Sequence, residues 1–281
     1  MRTLLFQLQG ELWKLFARKR TYMGFIVFAL LQVALYFIIH WLGYEQVLRN
    51  MITMQGQAFE QYFSALTIGH TITSLSVFLI GALFVTLVSG DIVAKESEDG
   101  NMRMLLVRPI SRVRLLGLKY FACVIYTFVL VQFAAYAAAV VGVVIRGWGT
   151  GLFVLAPDGS VGFFNNDESL HRYALASAVL GLGMTSIGSI GFFLSCLKIK
   201  PASATIGALS YALIDFIVHQ GNLMRDHQQY LITTHISTWG RVFMEEIPWV
   251  VLARSFTILA AINLSLFILG TAIFQSRDLK S

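Results

Sequence analysis

The chain has 281 residues, of which 57% are hydrophobic and only 13% charged, with a mean hydropathy of +0.70. Apolar runs of about 20 residues recur along it, which excludes a soluble domain and indicates a polytopic membrane protein. The net charge of +6 is carried beside those runs, so membrane topology accounts for it and no nucleic-acid partner is called for.

Residues 1–20 place Leu4, Leu8, Leu12, Leu15 and Phe16 on one helical face, with Gln7, Glu11, Lys14 and Arg18 elsewhere. The pattern predicts an interfacial helix lying on the membrane and closed by Arg18-Lys19-Arg20. A cleaved signal peptide would have a shorter apolar core followed by a small-residue cleavage site. Six spans are expected, at roughly Tyr22–Leu42, Ile72–Val93, Leu115–Ile145, Tyr173–Leu197, Ala202–His219 and Trp249–Phe274. The third exceeds what a core of ~30 Å requires, so it must tilt or protrude. Of the 21 Lys and Arg, 15 fall in the N-terminal segment, the second and fourth loops and the C-terminal tail. Five (Arg49, Arg146, Arg172, Arg225 and Arg241) fall in the other loops, and Arg254 lies within the last span. The positive-inside rule then puts both termini in the cytoplasm of a cell-membrane protein.

The outer loops differ in character. Residues 43–71 carry Met51, Met54, Phe59, Tyr62 and Phe63 among glutamines, as a surface helix would. Pro157-Asp158-Gly159-Ser160 is a turn signal between Leu152–Ala156 and Val161–Phe164, which predicts a small hairpin. Residues 220–248 are polar and aromatic. Cys123 and Cys196 both lie in apolar segments, without metal-ligand spacing.

The stretch 89–119 is the most informative. A short acidic cluster (Glu96, Glu98, Asp99) precedes Gly100, which stops the helix before it. Met102, Leu105 and Leu106 recur at helical spacing and predict a short amphipathic helix from about Asn101 to Val107. Pro109 disfavours the helical conformation at Arg108 and ends it. The basic run Arg112, Arg114 and Lys119 follows.

This stretch resembles the cytoplasmic loop of type-2 ATP-binding-cassette (ABC) exporter permeases. That family shows an acidic residue, Gly-Thr-Leu-Glu, a Leu-Leu pair, Pro, Ser-Arg and a Lys opening the next span. Here the pattern is Glu98-Asp99-Gly100-Asn101-Met102-Arg103, Leu105-Leu106, Pro109, Ser111-Arg112 and Lys119, and it departs at Arg103, where the family usually has an acid. The resemblance implies that the loop, residues 94–114, holds a coupling helix docking into a groove of a separate ATPase subunit. Glu96, Glu98, Asp99, Gly100, Met102, Leu105, Leu106, Arg108 and Pro109 are the residues it would bring to that contact. It further implies an N-terminal elbow helix over 1–20, and short helices dipping into the outer leaflet over 220–248. Two ATPase copies would carry ATP and Mg, and a second permease copy would complete a homodimer or heterodimer.

No G-x-x-x-x-G-K-[ST] loop occurs, so the chain is not expected to bind ATP by that route or to be an enzyme. No H-x-x-x-H or H-E-x-x-H occurs, and no metal site is expected. Ser177, Gly181, Thr185 and Ser189 form a small-residue stripe at four-residue spacing, as do Ala134, Ala138 and Gly142, and such stripes let helices approach closely. Asp215, His219 and Arg254 are ionisable groups inside spans, where charges are costly and usually paired. An Asp215–Arg254 ion pair between the last two spans is expected; a proton relay, and hence a secondary transporter, is the alternative. Asp91, near the cytoplasmic interface, is expected to be solvated. Together these features predict an all-α integral membrane protein forming one transmembrane domain over residues 1–281. Its expected role is permease subunit of an ATP-driven exporter, against a secondary transporter or a structural membrane protein.

Overall fold

Inside a bilayer no water is available to peptide groups, so an apolar stretch must satisfy them internally, as a helix does. Six helices long and apolar enough to cross a membrane are present in the computed structural model, which describes residues 2–100, 111–156, 159–221 and 227–276. Helix α1 (Arg2–Phe16) precedes the first span, α2 (Lys19–Trp41). Helix α3 (Tyr44–Met54) and the single turn α4 (Phe59–Tyr62) lead to the second span. That span is formed by α5 (Ala65–Ser76), a π-helical turn (Val77–Gly81) and α6 (Ala82–Glu98). Helix α7 (Arg112–Arg146) is the third span, followed by strands β1 (Gly151–Leu155) and β2 (Val161–Asn165). The fourth and fifth spans are α8 (Asn166–Ser195) and α9 (Pro201–Gln220). Helix α10 (Ile232–Ile236) and a 3-10 turn (Ser237–Phe243) then lead to the sixth, α11 (Trp249–Gln275).

All six expected spans are found, but the second and fourth start earlier, at Ala65 and Asn166. The reason lies in their position. These two are the interior helices, with 72% of each apolar window buried, against 17% for the first and last spans. Polar residues at their ends are therefore satisfied by protein rather than by water. Thr67 Oγ1 donates to the Tyr62 carbonyl at 2.6 Å and accepts from the Phe153 N–H at 2.9 Å. Ser169 Oγ donates to the Phe164 carbonyl at 2.8 Å. Hydropathy counts such residues against a span, although their hydrogen bonds are already made.

The hairpin is antiparallel, pairing Gly151 with Asn165 through to Leu155 with Val161; Pro157 and Asp158 of its turn lie outside the described residues. Its buried residues Leu152, Phe153 and Val154 cap the bundle end that also carries α3, α4 and α10. At the opposite end Arg112 Nη1 donates to the Gln275 carbonyl at 3.1 Å, so the last span finishes beside the start of the third. Close helix crossings depend on small residues. A Cβ placed on Gly142 would lie 2.5 Å from the Ala65 carbonyl oxygen and 2.7 Å from its Cα, so α7 and α5 touch backbone to backbone there. The main core runs between α2, α6, α7 and α8, with Phe28, Val85, Tyr126, Leu130, Met184 and Phe192 all fully buried or nearly so.

Candidate coupling site

The loop singled out in the sequence leaves the bundle at the end of α6 and re-enters at the start of α7. Both stems are built by local chemistry. Gly100 takes a φ of +73°, a conformation costly for a residue with a side chain, and α6 ends two residues before it. Ser111 is extended and its Oγ accepts from the Arg114 N–H at 3.3 Å, an N-cap that starts α7. Met102, Leu105, Leu106, Arg108 and Pro109, with the helix expected over 101–107, lie outside the described residues.

Between the stems sits a buried charge cluster. Lys119 of α7 is fully buried, its Nζ 2.8 Å from Glu11 Oε2 of α1 and 2.7 Å from Glu96 Oε2 of α6. The contact with Glu11 is a hydrogen bond; that with Glu96 is an ion pair off the hydrogen-bonding direction. Arg18 Nη2 lies 3.5 Å from Glu96 Oε1, and Lys14 Nζ donates to Glu11 Oε1 at 2.7 Å. Burial alone would raise the Glu11 carboxyl, but the Lys119 charge and hydrogen bond, reinforced by Lys14, outweigh it and hold it below its ordinary value of 4.5. One lysine thus ties the N-terminal helix to both stems of the loop.

The acidic cluster of the sequence therefore divides. Glu98 and Asp99 are exposed and sit 3.9 and 3.8 Å from Lys95, pairs of a kind that contributes little. Glu96 is 5% exposed and turned inward, which corrects its assignment to a partner contact: it is spent on Lys119 and Arg18. Asp91 is also corrected. It is buried rather than solvated, and it accepts from Arg20 Nη1 at 3.0 Å.

Helix α1 is oriented by the same cluster. Leu8, Leu12, Leu15 and Phe16, expected to face lipid, pack against the bundle core, because Glu11 on that side must reach Lys119. Leu4, Leu5, Phe6 and Trp13 are the apolar residues left exposed.

The structure does not join Asp215 and Arg254. Asp215 is buried, and its carboxylate accepts from the backbone N–H groups of Ile232 at 3.3 Å and Thr233 at 2.6 Å, capping α10. Two backbone donors at a helix start satisfy a carboxylate as a cation would, without the entropy of a long side chain. Arg254 is exposed on α11 and lines a cleft instead. His219 Nδ1 lies 3.0 Å from Thr234 Oγ1, so the three ionisable groups form no continuous relay.

Three residues of the α8 stripe face α7, and Thr185 turns to α11. Ser177 Oγ donates to Gln132 Oε1 at 3.0 Å, and Gln132 Nε2 returns a bond to the Ser177 carbonyl at 2.8 Å. A Cβ on Gly181 would meet Phe128 at 3.0 Å, Tyr120 and Ser189 share a hydrogen bond of 2.9 Å, and Thr185 Oγ1 accepts from Asn263 at 3.4 Å. Sequence reasoning missed Gln32, Gln132 and Tyr173. Gln32 donates to the Ala134 carbonyl and Tyr173 to the Ala135 carbonyl, the latter at 2.6 Å, so three neighbouring residues of α7 are pinned from two sides. A lone glutamine inside an apolar run was the available signal.

Six apolar helices around a buried polar scaffold define a multi-pass membrane protein. The family model described as ABC-2 family transporter protein matches residues 7–156, and the chain belongs to that family of ABC transporter permeases. The matched segment contains Glu11, Glu96, the loop and Lys119. The comparison with curated proteins finds no match.

Proposed function

We propose that this chain is the transmembrane subunit of an ATP-driven exporter. It works with two copies of a separate ABC ATPase that hold ATP and Mg, and with a second permease copy as a homodimer or heterodimer. Its termini and the 94–114 loop face the cytoplasm of the cell membrane, and α1 is the elbow helix lying at that surface. The substrate passes along the seam between the two permeases, and this chain itself hydrolyses nothing. The observation that carries the reading is the Glu11–Lys119–Glu96 cluster, which clamps both stems of the loop to α1. A loop so anchored moves with its helices as one lever, as a part pushed by a closing ATPase pair requires.

The test is co-purification with a candidate ABC ATPase, sought first in the neighbouring reading frames. Leu105→Asp with Leu106→Asp should leave the permease folded in the membrane yet abolish capture and transport, since losing one well-packed interface anchor typically costs ~2 kcal/mol or more. Wild-type yield of the complex together with normal transport would sink the proposal. Orientation is tested by Ser111→Cys and Ser160→Cys in a background lacking Cys123 and Cys196. An impermeant thiol reagent should label position 160 in intact cells and position 111 only after lysis; equal labelling in intact cells contradicts the topology.

A further inference from the structure

A polar cleft with a volume of about 660 Å³ lies between α10, the 3-10 turn and α11. Two guanidinium groups line it, Arg241 from the turn and Arg254 from α11, and no acidic side chain among the described residues does so. Like charges facing one cleft beside lipid are unfavourable until an anion joins them. Several of the other polar groups are already engaged. His235 spends Nε2 on the Gln229 carbonyl at 3.0 Å and Nδ1 on Ser255 Oγ at 3.3 Å. Thr238 and Ser237 donate to the carbonyls of His235 and Thr234 at 2.7 and 3.0 Å. The two arginines are thus the cleft's strong donors, of the type that binds phosphate or carboxylate in fork geometry.

The cleft is not uniformly polar. On α11, Ile258 and Ile262 follow Arg254 one and two turns along the same face, and both line it. From Arg254 to Ile262 is roughly 12 Å along the helix, the reach of about half an acyl chain. Tyr230, at the cleft, and Trp249, at the start of α11, are 72% and 59% exposed, as aromatic side chains at headgroup level are. A charged mouth that continues into an apolar trough matches a molecule with an anionic head and a hydrocarbon tail, whereas a free anion would leave the trough unfilled.

We propose that this cleft binds an anionic amphiphile, its phosphate or carboxylate head on Arg241 and Arg254 and its chain along Ile258 and Ile262. The proposal rests on α11 spanning the membrane and not on the exporter reading, so the two fail separately. The test is native mass spectrometry of the full-length chain from micelles containing equal phosphatidylglycerol and phosphatidylcholine. The wild type should retain phosphatidylglycerol about tenfold over phosphatidylcholine. Arg241→Gln and Arg254→Gln should each cut that preference to about twofold or less, and Arg254→Lys should keep most of it. Soluble glycerol phosphate at the same concentration should not displace the lipid. In the wild type, phosphatidylglycerol bearing a mid-chain photoactivatable group should label the peptide containing Ile258 and Ile262. An unchanged preference in both Gln variants overturns the proposal, as does labelling spread evenly over the spans. Displacement by glycerol phosphate would mean that the site recognises the anion alone, and that result also rejects it.

Discussion

Replacing Lys119 with methionine is the most direct perturbation of the charge cluster. The side chain is fully buried and nearly the same length, so packing is conserved while one positive charge disappears from between two carboxylates 2.8 and 2.7 Å away. Removing one partner of a buried ion pair costs ~3–5 kcal/mol, because the remaining charge is left uncompensated. Against a typical folding stability of about 5–15 kcal/mol that is a large fraction. The triple variant Glu11→Gln, Glu96→Gln, Lys119→Met removes all three charges. If the groups act independently, with each substitution costing ~3 kcal/mol, the triple loses roughly 9; if they compensate one another it loses about 2 or less, since neutral replacement of a buried triad is often tolerated. Reversible unfolding in mixed micelles measures both. The reasoning is refuted if Lys119→Met costs less than ~1 kcal/mol, or if the triple variant loses as much as the three singles together.

Acid should act on the same cluster through Glu11. Its folded pKa lies below the unfolded value of 4.5, so its contribution is fully present above pH 4.5 and is lost as pH falls through the lower folded value. Glu11→Gln should flatten the stability profile below pH 4.5, checked by unfolding at a series of pH values. Gly142→Ala should destabilise by about 1–3 kcal/mol, because its Cβ meets Ala65 backbone that has no room to withdraw. Gly117→Ala on the same helix, where the nearest atom is 4.0 Å away, should be neutral or slightly stabilising in the same thermal melt. Asp215→Asn should cost about 1–2 kcal/mol by weakening the cap on α10, while Arg254→Ala leaves stability unchanged and the double variant matches Asp215→Asn alone; a positive coupling energy would restore the ion pair that the structure separates.

Much of the fold was legible because hydropathy and charge asymmetry are one-dimensional signals. The six spans need only runs of apolar residues, and Gly100 marks the end of the helix before the loop by its own conformational chemistry. What could not be read was the destination of each polar group. Glu96, Glu98 and Asp99 are near neighbours in sequence, but position on the helix sends the first inward and leaves the others exposed. Lys119 was visible as a basic residue opening a span, yet its partners lie 108 and 23 positions away. Pairing Asp215 with Arg254 takes a cation to be the natural partner of a buried carboxylate. Backbone N–H groups serve equally well, and a segment folding back between the last two spans supplied them first.

The buried and half-buried charges of the bundle are compensated in two ways. At the loop end, charge meets charge: Lys119, Arg18 and Arg20 are each paired with a carboxylate, and these pairs join separate helices. At the hairpin end Arg146 likewise pairs with Glu45 and Glu60, whereas Arg172 is held by the carbonyls of Val242 and Glu245 at 2.8 and 3.0 Å as well as by Glu168. Asp215 is held there by two backbone amides. A carboxylate or guanidinium bonded to backbone fixes the local fold. The backbone-bonded charges therefore fix the fold of the segment between the last two spans locally, whereas ion pairs at both ends of the bundle tie separate elements to one another.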